Sequence, residues 1–177
     1  MHKSLELIDE EFLNDLKILQ KSPIGVDKYL KKRTRIIDKA LCKRFSENGL
    51  SSRYILCAIG GYGREELFPA SDIDLTIIDQ DPKKKPDEKL NNFVSWLWDQ
   101  NFKVGHSVRS VPGMQKLARN DLQEYTSLLS IRVLSGSKKN ITAFNRDLKA
   151  LHKKIRKKVF FSFKENEAIK RYQKFNS

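Results

Sequence analysis

The sequence predicts a small mixed α/β domain: a three- or four-stranded sheet with helices packed around it and helical segments at both ends. Three stretches carry that prediction. RYILCAI (53–59) is a short, nearly continuous apolar run, the pattern of a strand buried on both faces. DIDLTII (72–78) is a second β-rich run. FKVGHSVRSV (102–111) alternates Phe102, Val104, His106 and Val108 against Lys103, Gly105, Ser107 and Arg109, the two-residue period of a third strand.

Segments of helical spacing lie between and around these runs. Leu5, Ile8, Phe12, Leu16 and Leu19 recur at helical intervals over 5–20, and the break KSPIG follows. A second stripe, Val26, Tyr29, Leu30, Arg33, Ile36, Ile37, Ala40, Leu41 and Phe45, ends near Gly49, a C-terminal cap. The short run REELF (64–68) can make one helical turn, and residues 87–100 form a helix with Leu90, Phe93, Val94 and Leu97 inward. DQDPKKKPDE is a loop. From about 112 the chain reads as helical to its end, with a break near SGSKKN. The order helices, strand, turn, strand, helix, strand, helices is that of a sheet covered by helices. The boundaries that follow are a helical segment (1–49), an α/β core (50–136) and a basic helical segment (137–177).

Composition narrows the function. The net charge of +13 is concentrated at one end: residues 138–177 carry +10 and residues 1–137 only +3. No apolar run approaches the roughly 20 residues of a membrane span, and MHKSLELIDEEF has no apolar stretch for a signal peptide. Cys42 and Cys57 lack metal or redox spacing and read as small core residues. The expected location is the cytoplasm.

The chemistry concentrates in CAIGGYGREELFPASDIDLTII (57–78). On a strand, residues two apart face the same way with Cα atoms about 6–7 Å apart, so Asp72 and Asp74 aim their carboxylates into one space. Two anions this close raise each other's pKa unless something positive stands between them. A divalent cation answers that need, and with only hard oxygen ligands on offer magnesium fits best. Gly60 and Gly61 stand at a strand-to-helix junction, where backbone N–H groups can cradle phosphate and the absence of side chains lets it approach. Arg64 is placed to neutralise a triphosphate. The string is neither a P-loop nor a dinucleotide fingerprint, since no Gly-Lys-Ser/Thr follows and Glu66 stands where a third glycine would be.

IGG followed by DIDL resembles the signature of polymerase-β-like nucleotidyltransferases. GGYGREELFPASDIDLTII, LWDQNFKVGHSVRSV (97–111) and DLQEYTSLLSIRVLSG (121–136) together resemble the N-terminal transferase domain of the bifunctional uridylyltransferase/uridylyl-removing enzymes. The resemblance covers roughly residues 50–137. It implies a polymerase-β-like fold with residues 50–136 as the nucleotidyltransferase core. It implies Mg²⁺ on Asp72 and Asp74, nucleotide on Gly60, Gly61, Arg64, Ser71 and Arg109, and transfer of UMP from UTP to a tyrosine of the PII signal protein. Uridylyl removal and glutamine sensing, which the family assigns to other domains, are not expected in a chain with three histidines and no His-Asp dipeptide.

Two family positions differ. Glu65 puts a negative charge beside the phosphate turn, and the strand over 102–111 carries no acid. His106 could serve as a base or be a core histidine. The alternative functions are transfer to RNA or another protein, and an inactive lobe that holds nucleotide or a partner. In the tail, HKKIRKKVFFSFKENEAIKRYQKF mixes cations with aromatics, a nucleic-acid-binding composition. The favoured reading is instead a helix packing Ile155, Val159, Phe163 and Phe160 on the body.

Overall fold

The computed structural model describes residues 23–69, 71–100 and 103–154. The helix expected over 5–20 and the tail from 155 onward lie outside the described residues. Helix α1 (Pro23–Glu47) takes in Pro23, Ile24 and Gly25 of the expected break. Gly49, at φ 68°, turns the chain into a 3-10 turn (Leu50–Ser52) that leads into β1 (Tyr54–Ala58). One helical turn, α2 (Gly60–Gly63), follows, then β2 (Ile73–Asp79), α3 (Glu88–Trp98) and β3 (Val104–Ser110). Helices α4 (Val111–Asn120) and α5 (Leu122–Leu129), strand β4 (Arg132–Ser135) and helix α6 (Lys138–Lys154) complete the described chain. Among the described residues no helix is long and apolar enough to cross a membrane.

The four strands lie in the order β3-β2-β1-β4. β1 is antiparallel to both of its neighbours, and β2 runs parallel to β3 with Asp74 level with Gly105 and Thr76 level with Ser107. Alternation along the central strands separates two cores. Tyr54, Leu56 and Ala58 of β1 and Ile73, Leu75 and Ile77 of β2 pack with Ile37, Leu41 and Phe45 of α1 and Leu90, Phe93 and Leu97 of α3. Phe45 and Phe93 meet edge to face at 5.2 Å. On the other face Ile55, Cys57 and Ile78 pack with Met114 of α4, Leu128 of α5 and Phe144 of α6. Each such side chain withdrawn from water contributes about 1.5–3 kcal/mol, so β1 and β2, buried on both faces, form the rigid floor of the fold.

Two elements depart from expectation. β4 lies within a stretch read as helical, for its four residues carry too short a pattern to display a period, and its pairing with β1 is non-local. The helical turn falls on GGYG and not on REELF. Glu65 takes a left-handed φ of 63°, which ends the turn, and Leu67 then enters the first core. The buried Arg33 of α1 reaches the carbonyls of Leu67 and Pro69 at 3.5 and 3.4 Å, fastening the run that leads to β2.

Gly63 is the tightest point of this arrangement. A Cβ there would stand 2.0 Å from the carbonyl oxygen of Ser130 and 3.1 Å from that of Ala58, both main-chain atoms. Gly63→Ala should therefore force α2 away from the α5–β4 junction and lower the unfolding free energy by about 1–3 kcal/mol. Urea denaturation of the two proteins measures this; an unchanged midpoint would show that the approach is looser than described.

Candidate active site

β1 ends where β2 and β3 begin, because Ala58 pairs with Leu75 while Asp74 lies level with Gly105. The chain leaving β1 must turn at once: the Ile59 N–H donates to the Asp74 carbonyl at 3.0 Å, and Gly60 follows at φ 61°. Gly60 answers two demands. Its positive φ suits a residue without a side chain, and a Cβ there would lie 3.3 Å from Asp74 Oδ2. Gly105 on the neighbouring strand is closer still, with a Cβ position 2.6 Å from Asp74 Oδ1. The Asp74 carboxylate thus lies in a cradle bounded by two glycines that side chains would fill.

Asp74 belongs to β2 and is partly buried, whereas Asp72 stands one residue ahead of the strand and is exposed. Burial, and secondly the charge of Asp72, push the Asp74 carboxyl above the usual carboxylate range. Those are the marks of a site that gains from a cation, and the donors at hand are the hard oxygens that magnesium takes. The pair fits such an ion. Among the described residues no group of three or more His, Cys, Asp or Glu side chains gathers as a metal cluster.

The glycine turn is held from behind by a network that local sequence does not announce. The Tyr62 hydroxyl donates to Asp38 Oδ1 of α1 at 2.6 Å. Arg132 of β4 forks onto both Asp38 oxygens at 2.6 and 3.1 Å and also donates to the carbonyls of Tyr62 and Gly63. Its guanidinium lies 5.4 Å from the Tyr62 ring centroid. Burial, then the charge of Asp38, drive the Tyr62 hydroxyl well above its ordinary pKa, so it stays a donor. Helix α1, the turn and β4 therefore meet on one partly buried carboxylate, and a change at Asp38 or Arg132 would reach the turn without touching a ligand.

The remaining expected residues are distributed around this centre. Gly61 lies in the turn beside Arg64, whose Nε donates to Glu66 at 2.7 Å in a half-exposed pair. A pair of that exposure is worth about 0–1 kcal/mol and exchanges partners readily. Ser71 is partly buried just ahead of Asp72, its N–H on the Phe68 carbonyl at 3.0 Å. Glu65 lies within electrostatic reach of Lys31 and Arg132, cations of α1 and β4. His106 is level with Leu75, on the opposite face of the sheet from Asp74, and its ring meets Trp98 edge to face at 5.6 Å. It is remote from the aspartate pair by the alternation of the strand.

Arg109 does reach the Asp74 side. Gly105, Ser107 and Arg109 share the face of Asp74, and the Ser107 hydroxyl donates to Thr76 Oγ1 at 3.1 Å. A cavity of about 370 Å³ lies above them, lined by Asp74, Arg109, Asp121, Gln123, Glu124 and Ser127. Inside it Arg109 is paired with both oxygens of Glu124, the longer arm at 2.9 Å. Sequence reading missed Glu124: it stands in the first turn of α5, and only the packing of that turn over β3 brings it to the site.

The raised Asp74 pKa has a sign that can be tested. Below the ordinary carboxylate pKa both folded and unfolded chains hold this proton, and the group is neutral to stability. Between that value and the raised folded pKa the unfolded chain ionises and the folded one does not, so stability falls as pH rises and the loss is complete above the folded pKa. Without metal, Asp74→Asn should therefore be more stable than wild type at pH 7, with the difference shrinking as pH falls toward 4. Denaturant melts in a chelating buffer read this directly; a less stable variant at pH 7 would contradict the assigned burden.

No family model matches the chain. Whole-sequence comparison finds bifunctional uridylyltransferase/uridylyl-removing enzymes. That of Haemophilus influenzae (strain PittEE) is 34% identical over 173 residues, 96% of this chain. That of Pasteurella multocida is 31% identical over 95% of the chain, and that of Pseudoalteromonas translucida 40% identical over 66%. The chain spans about a fifth of the length of the first two relatives, 20% in each case. Among solved structures, a toxin-antitoxin crystallised with AMP-PNP aligns over 75% of this chain and 94% of its own, at 13% identity and a TM-score of 0.44. Similarity sustained along nearly the whole chain matches it to the N-terminal region of the bifunctional uridylyltransferase/uridylyl-removing enzymes.

Proposed function

We propose that this chain is a Mg²⁺-dependent nucleotidyltransferase domain that moves UMP from UTP to a tyrosine of a PII-type signal protein, releasing pyrophosphate. The observation that carries the transferase reading is the Asp74 carboxylate held between Gly60 and Gly105 beside Asp72. A structural aspartate would have no need of two absent side chains and a neighbour of like charge. Uridine and PII rest on the family resemblance.

Asp72 and Asp74 would hold the ion. When bound, it would neutralise charge on the triphosphate and act as a Lewis acid toward it. The residues of the chain account for the rest. Gly60 and Gly61 leave main-chain N–H groups open to phosphate oxygens. Arg64 sits at the rim of the turn, where phosphate can replace Glu66 as its partner. Ser71 flanks the aspartates, and Arg109 offers a second guanidinium from β3. The acceptor hydroxyl attacks the α-phosphate in line, with catalysis supplied by positioning and charge. The Asp38–Tyr62–Arg132 network keeps the turn in place during that exchange.

Two substitutions test the reading. Asp72→Asn should abolish the Mg²⁺-dependent, UTP-selective rise in melting temperature and cut transfer to PII by at least about a thousandfold. Residual transfer near the wild-type level would mean that the aspartates do not hold the reacting centre. Gly105→Ala, which drives a methyl group into the Asp74 carboxylate, should weaken Mg–UTP binding measured by calorimetry. Wild-type affinity in that variant would remove the cradle as evidence. Labelled nucleotide appearing on RNA and not on PII would keep the chemistry and change the acceptor.

A further inference from the structure

Attack by a hydroxyl requires a group that takes its proton, and the face of β3 beside Asp74 offers none. Gly105 leaves no room for a side chain, and Ser107 is engaged with Thr76. The carboxylates that share the cavity with Asp74 arrive from the other side, where α4 passes into α5. Asp121 is the cap of α5 and accepts the N–H groups of Gln123 and Glu124 at 2.8 and 3.3 Å. Glu124 has no such structural duty: both of its oxygens face one partner, Arg109. That partner is of the kind phosphate takes, since a planar guanidinium forks onto phosphate oxygens as it does onto a carboxylate.

We propose that Glu124 is the proton acceptor for the attacking hydroxyl and is held on Arg109 until nucleotide phosphate displaces it. This rests on the nucleotidyltransferase reading above. Phosphate takes Arg109, and the released carboxylate remains in the cavity with Asp74. As the bond forms between the acceptor oxygen and the α-phosphorus, the hydroxyl proton passes to Glu124. The bond from that phosphorus to the bridging oxygen breaks, and its electron pair leaves with pyrophosphate. The base is thus delivered by the substrate, and in the absence of nucleotide the pair keeps both partners neutralised.

Glu124→Gln in the full 177-residue chain separates this from a structural ion pair. Mg–UTP binding, read by calorimetry, should tighten about fivefold because Arg109 loses its competing anion. Pyrophosphate release should fall about a hundredfold or more, and Glu124→Asp should recover part of it. Release is followed with PII and, separately, with water as acceptor. Loss of transfer to PII with release to water intact strikes the acceptor reading alone, and the water series then decides Glu124 by the same criteria. Wild-type release in Glu124→Gln overturns the proposal, and so does binding that weakens together with turnover. A wild-type chain that neither binds Mg–UTP nor releases pyrophosphate overturns both readings.

Discussion

A carboxylate brought half out of water at the meeting of three strands, with no ion pair among the described residues, is the constraint around which this domain is arranged. Asp74 is pushed toward its protonated form by burial and by Asp72. Keeping it there requires that nothing else occupy its space, and the fold meets the requirement from two sides. Gly60 bends away with a positive φ, and Gly105 stands level on the next strand without a Cβ. The result is a centre that is unfavourable in isolation, and under the proposed function a cation and its phosphate would relieve it, which is how binding energy becomes available to a reaction.

Such a centre needs a stiff surround. The double-sided burial of β1 and β2 provides the floor, and the Asp38–Tyr62–Arg132 cluster ties the glycine turn to α1 and to β4 at once. Gly63 closes against the Ser130 carbonyl, so the turn is fixed by main-chain contact as well as by charge. The glycines at the site therefore divide their duties. Gly60 and Gly105 clear space for Asp74, and Gly63 lets two backbones meet.

The cations around the centre are held in exchangeable pairs. Arg64 is on Glu66 and Arg109 is on Glu124, both pairs open to water to different degrees. A triphosphate carries enough negative charge to compete for either guanidinium, while the acids it displaces remain close by. Under the proposed function the site would thereby stay near electrical balance with or without nucleotide. Along the sequence, the net positive charge is concentrated in residues 138–177.

The sequence by itself determined the parts whose cause is local. The apolar run of β1, the alternation of β3 and the stripe of α1 follow from periodicity. Gly-Gly followed by Asp-x-Asp after a buried strand marks the centre because both features are costly without a purpose. Even there, the helical turn fell on GGYG instead of REELF, since the contact that shapes it lies at Ser130. The tertiary structure alone decided β4, the Asp38–Tyr62–Arg132 network, the removal of His106 to the far face from Asp74, and the approach of Glu124 to Arg109. Each joins residues from separate elements through packing, and a pairwise contact across the chain leaves no periodic or compositional trace at either of its ends.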